Sequence, residues 1–175
     1  GIYDSNGAFV DDGAEAIKAY SDILLWTSNL SGVVPQISVI AGTCAGSAAM
    51  AACSADFVVI TDDGELYTTP GKDIKGEDAV ANGTAALSAK DDKAAMEAVK
   101  KLIAILPANN ISSAPMFEFS ETGKAASGTA DEIAMAVADS DSVIELSSGF
   151  GTSAYTAIAT VGGSAVGIAA TNKSA

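Results

Sequence analysis

The sequence predicts an α/β chain whose strands pair largely in parallel. Two observations carry this reading. Short, almost wholly apolar runs stand at Gln36-Ile37-Ser38-Val39-Ile40 and Phe57-Val58-Val59-Ile60, too short for helices. Helical apolar periods alternate with them, over residues 14–30 and 93–106. Strands that alternate with helices return to the same sheet by crossover, and so run parallel.

Taken in order, Ile2 and Tyr3 read as the end of a buried strand, so the sequence opens inside an element. Asp11 and Asp12 can cap the next helix and favour its positive end. From 14 to 30, Ala16, Tyr20, Ile23, Leu24 and Leu30 recur at a helical period; Gly32 and Pro35 stop it. Trp26 on that helix reads as core or subunit contact. Residues 36–41 predict a buried strand and 45–54 a short helix, apolar all round and therefore buried on every side. A strand at 57–60, a turn at Asp62-Asp63-Gly64 and a short strand at 65–68 follow. Thr69-Pro70-Gly71 is a loop into a short helical stretch. Asp91 and Asp92 cap a helix over 93–106, with Met96, Val99, Leu102, Ile103 and Leu106 as its apolar face and Pro107 as its stop. Residues 109–115 form a polar, proline-bounded linker. A helix over 131–138 precedes strands at 143–146, 154–161 and 165–170, the last two joined at Gly162-Gly163 as a hairpin.

Composition narrows the chemistry. The chain has 175 residues and a net charge of −13, with nine cations that are all Lys and no His. The length suits one domain, or one domain and part of another. The neutral-pH acid/base and commonest metal ligand is therefore absent, as is the bidentate phosphate grip of Arg. Such a charge repels nucleic acid and anionic membranes, and no apolar run reaches membrane-spanning length. Cys44 and Cys53, with no leader pattern, point to a reduced, cytoplasmic setting rather than a disulfide.

The stretch Gly42-Thr43-Cys44-Ala45-Gly46-Ser47-Ala48-Ala49 carries most of the functional signal. It follows the strand at 36–41 and opens a helix of small residues, whose first amides have no intrahelical acceptor. A second small-residue turn, Asp4-Ser5-Asn6-Gly7-Ala8, ends the earlier strand. Two such turns can jointly hold one oxyanion. They can equally exist so that a helix packs tightly on a strand. Cys44 reads as a core thiol, since no His is present to activate it, and Asp62, Asp63 and Glu65 as a plain turn.

These residues carry a resemblance. Ile2-Tyr3-Asp4-Ser5-Asn6-Gly7-Ala8 resembles the D-S-G-G-A turn of the carboxyltransferase subunits of biotin-dependent acyl-CoA carboxylases and decarboxylases. Gly42-Thr43-Cys44-Ala45-Gly46 resembles their G-P-C-A-G-G turn. Leu106-Pro107-Ala108-Asn109-Asn110 is similar to their L-P-x-N-N boundary, and the residues from Val161 through Gly167 to their I-G-G-R-P-V-G hairpin. The matches run in the family's order across nearly the whole chain.

The resemblance implies a crotonase-type (ClpP-like) α/β fold of repeated ββα units, with a small, mostly parallel sheet flanked by helices. It implies that residues 1–108 are the C-terminal portion of a first carboxyltransferase domain, 109–142 a linker and helix, and 143–175 the opening strands of a second. On that basis the chain is a piece, or a reduced relative, of a longer subunit. The implied activity is transfer of a carboxyl group between biotin on a carrier protein and an acyl-CoA, or decarboxylation of the acyl-CoA. No activity is expected of the piece alone, because the family's site lies between the first domain of one subunit and the second domain of another. The implied partners are acyl-CoA, a biotin carrier and further copies of the subunit in an oligomer, with no metal, nucleic acid or membrane insertion. The amides of Ala8 and of Gly46 or Ser47 would form the oxyanion hole. Gly7 would admit substrate, Gly42 would make the strand-to-helix turn, and Ala45, Gly71 and Lys72 would line the substrate. Lys72 and Lys75 can meet a CoA phosphate or simply face Asp73, Glu77 and Asp78. Asn6, Phe9 and Ser47 depart from the family pattern, and the stretch over 77–90 is short. A non-catalytic crotonase-fold interaction domain is therefore the alternative. A hydratase of the same fold would need a carboxylate pair over the turns, and none is evident.

Overall fold

A computed structural model describes residues 1–69, 74–123 and 125–172. A parallel sheet runs in the order β1 (Ile2–Ser5), β2 (Ile37–Ala45), β3 (Phe57–Thr61), β5 (Leu87–Ala89), with β4 (Glu65–Tyr67) pairing the far end of β2. Crossovers pass through α1 (Ala14–Leu30), α2 (Ser47–Ala52) and α3 (Gly76–Ala81). The α/β expectation therefore holds.

The central strands are mostly apolar because both faces are covered. Ile40, Val58 and Ile60 pack against Ala48, Ala49 and Ala52 of α2 and Ala79 of α3. Val39 and Val59, one residue out of step, face Ala95, Val99 and Leu102 of α4 (Asp92–Ile105). Alanines on α2 let that helix lie close to the sheet, so a core of few large side chains still closes.

Beyond α4, β6 (Ile144–Leu146), β7 (Ala154–Val161) and β8 (Ser164–Thr171) form an antiparallel sheet. Helix α5 (Ala130–Val137) packs on it through Ala130 and Ala134, against Tyr155 and Ala157. Ile144 and Ile158 also reach the α4 side of the first core.

Several expectations are corrected. Asp11 and Asp12 do not cap α1; they lie in a 3-10 turn, Val10–Asp12, and Gly13 precedes the helix. Trp26 is 64% exposed and α1 fully buries no residue, so Trp26 is not core. The helix after β2 is shorter than 45–54 and open on one side, where Met50 is 55% exposed. On α4 the buried row is Ala95, Val99, Leu102 and Ile105, while Ile103 points outward. Strand β5 carries no expectation because three residues are too few to show a period.

Candidate functional site

Strands β1 and β2 lie side by side and end together. Ser5 pairs with Cys44, so the turn after each strand begins at the same level. In open parallel sheets, ligands bind beyond the carboxyl ends of strands. The two small-residue turns are adjacent there.

Gly7 sets their separation. It takes φ +94°, and a β-carbon on it would lie 2.7 Å from the Ala45 carbonyl oxygen and 3.9 Å from the Gly46 α-carbon. The missing β-carbon thus lets one turn rest directly on the other. Its amide donates to the Ser5 hydroxyl at 3.2 Å, closing the first turn locally. The next amide, of Ala8, has no acceptor among the described residues.

In the second turn Gly46 takes φ +58° and makes the strand-to-helix bend. Its amide donates to the Tyr67 carbonyl at 2.9 Å. That removes Gly46 as a donor and leaves Ser47, the first residue of α2, whose amide has no intrahelical partner. A β-carbon on Gly46 would meet nothing within 4 Å among the described residues. Gly7, Ala8, Gly46 and Ser47 are all half-buried: reachable, yet held by the sheet.

One further residue does not stand where expected. Gly42 lies inside β2, not at a turn, and a β-carbon there would collide with the Asp4 carboxylate. Ala45 is buried and pairs with Tyr67 as the last residue of β2. Gly71 and Lys72 lie outside the described residues. Lys75 is ion-paired with Glu65 at 2.8 Å.

Cys44 is fully buried on β2. Burial, and secondarily the neighbouring Cys53, push its thiol up to about 12. A thiol that stays protonated at neutral pH is not a nucleophile. The Tyr67 carbonyl and the Asp4 carboxylate, which accepts from the Thr43 amide at 3.2 Å, complete the site. Only pairing between strands distant in sequence shows which carbonyl takes the Gly46 amide.

The carboxyl transferase domain family matches residues 1–175. The 12S subunit of methylmalonyl-CoA carboxyltransferase from Propionibacterium freudenreichii subsp. shermanii is 34% identical over 99% of this chain and 38% of its own length. The alpha subunit of methylmalonyl-CoA decarboxylase from Propionigenium modestum is 36% identical over 67% of the chain and 26% of its own. A solved transcarboxylase 12S structure, described as a hexamer assembly with methylmalonyl-coenzyme A and methylmalonic acid bound, superposes with a TM-score of 0.88 at 30% identity. That superposition covers 99% of this chain and 39% of the other. The chain belongs to the carboxyl transferase domain family and has the crotonase-like fold of its carboxyltransferases. It spans about two fifths of the length of the 12S subunit, and the alignment with that subunit runs to 202 positions, so the relative carries segments absent here.

Proposed function

We propose that this chain supplies one half of a carboxyltransferase site that moves a carboxyl group between biotin on a carrier protein and an acyl-CoA. The supporting observation is the Ala8 and Ser47 amides, both without acceptors among the described residues, on abutting turns at the ends of neighbouring parallel strands. When a carboxyl group joins or leaves the α-carbon of a thioester, negative charge develops on the thioester oxygen. Fixed amide dipoles stabilise that charge without a proton donor, which suits a chain that has no His. Biotin supplies or takes the carboxyl group; no residue here is assigned to hold it. We read residues 1–108 and 143–175 as parts of two successive domains, with residues 109–142 between them. The remainder of the site and the oligomeric partners come from outside this stretch. Among the described residues, no helix is long and apolar enough to cross a membrane.

Two measurements test this. Ser47→Pro deletes the Ser47 amide while keeping the first helical position, which proline tolerates. In the assembled enzyme it should lower kcat about 100- to 1000-fold. Residues 1–175 alone should bind an acyl-CoA saturably but transfer no carboxyl group. Wild-type kcat in Ser47→Pro would refute the amide role. Absence of acyl-CoA binding at high concentration would instead mark a non-catalytic interaction domain.

A further inference from the structure

The two turns abut only because β1 and β2 fall out of register just before them. Tyr3 pairs with Ile40, yet Ser5 pairs with Cys44, so two steps along β1 oppose four along β2. In that interval β2 also changes partner: it pairs with β3 as far as Ile40 and with β4 from Thr43. Backbone groups released by the change are met by side chains. The Thr61 hydroxyl faces the Ile40 and Ala41 carbonyls at 3.3 and 3.4 Å. On the other edge the Thr43 amide donates to Asp4 Oδ1 at 3.2 Å. Gly42 leaves the space the carboxylate occupies; a β-carbon there would lie 2.6 Å from Asp4 Cγ and 3.2 Å from Oδ2.

We propose that Asp4 is a positioning residue for the oxyanion turns. Its carboxylate, seated over Gly42 and bonded to the Thr43 amide, fixes the register offset that sets Ala8 beside Ser47. Asp4 stands three residues before Gly7, and Thr43 three before Gly46, so one carboxylate ties the lead-ins of both turns. An acid that only capped its own turn would need no glycine opposite it. The inference rests on the oxyanion reading above.

The test uses Asp4→Ala, Asp4→Asn and Gly42→Ala in the assembled enzyme, with acyl-CoA and biotin carrier as substrates. Misplaced catalytic groups cost turnover rather than ground-state binding, so Asp4→Ala and Gly42→Ala should lower kcat by about 10- to 100-fold with KM within about twofold. Asparagine keeps an acceptor oxygen at the same position, so Asp4→Asn should stay within about threefold of wild type. An active wild type with unimpaired Asp4→Ala and Gly42→Ala overturns the positioning role and leaves the amide reading intact. So does an Asp4→Asn enzyme as slow as Asp4→Ala. If Asp4→Ala does not assemble, the contrast between Asp4→Asn and Gly42→Ala decides on the same terms. A wild-type assembly without carboxyl transfer removes both the function and this role.

Discussion

Gly7 and Leu102 tolerate little change, for opposite reasons. Gly7 has no room for a β-carbon and sits at a backbone angle that L side chains rarely adopt. Gly7→Ala should cost about 1–3 kcal/mol in backbone strain, read from the urea midpoint, and push the turns apart. In the assembled enzyme that separation appears as lost turnover; a Gly7→Ala enzyme at full rate would mean the turns need not touch. Leu102 is instead fully buried between α4 and the sheet. Leu102→Ala should cost about 2–5 kcal/mol by the same measurement, because the removed atoms leave a void that packed neighbours held by the sheet refill only in part. Cys44 is the core thiol that the lack of any His led one to expect, fully buried on a central strand.

Among the elements, α4 and the second hairpin hold their ends by different means. The Asp91 side chain accepts the Ala94 amide at 2.8 Å, as an N-cap should. Asp91→Ala should therefore destabilise the fold by about 1 kcal/mol, seen in thermal or urea unfolding. The hairpin from β7 to β8 is pinned by Asp139, whose carboxylate accepts from the Gly162 amide at 3.1 Å and the Gly163 amide at 2.8 Å. The Thr160 hydroxyl first, and then these amides, hold its carboxyl below the usual carboxylate range. A lowered folded-state value stabilises the fold at pH above the unfolded carboxyl's titration, about pH 3.9, and that contribution fades as pH falls through the folded value. Hydrogen exchange at Gly162 and Gly163 should thus lose protection on acidification, and Asp139→Asn should flatten that dependence. The cap at Asp91 was legible because capping is local in sequence. The Asp139 clasp was not, because its partners lie more than twenty residues away.

For the whole molecule, the net charge of −13 opposes compaction. Three ion pairs join described residues, Lys18–Asp22, Lys75–Glu65 and Lys100–Glu97, and all lie at the surface. Exposed pairs contribute little and repulsion among the excess carboxylates acts over a longer range, so salt should stabilise the fold. The Tm should rise between 10 mM and 1 M NaCl, as the screening length shrinks from about 30 Å to about 3 Å. A Tm that fell with salt would show that the ion pairs outweigh the repulsion.

The sequence by itself determined the alternation of strands and helices, the α4 cap, the Gly162-Gly163 hairpin and the two small-residue turns. Each is written in a local period or a turn chemistry that a short window contains. Only the tertiary structure decided that Gly46 spends its amide on Tyr67, that Gly42 faces Asp4 inside a strand rather than at a bend, and that Gly7 rests on Ala45 and Gly46. Those outcomes depend on strand register and on a change of partner along β2. Pairing between segments far apart in sequence sets both, and no local pattern encodes it.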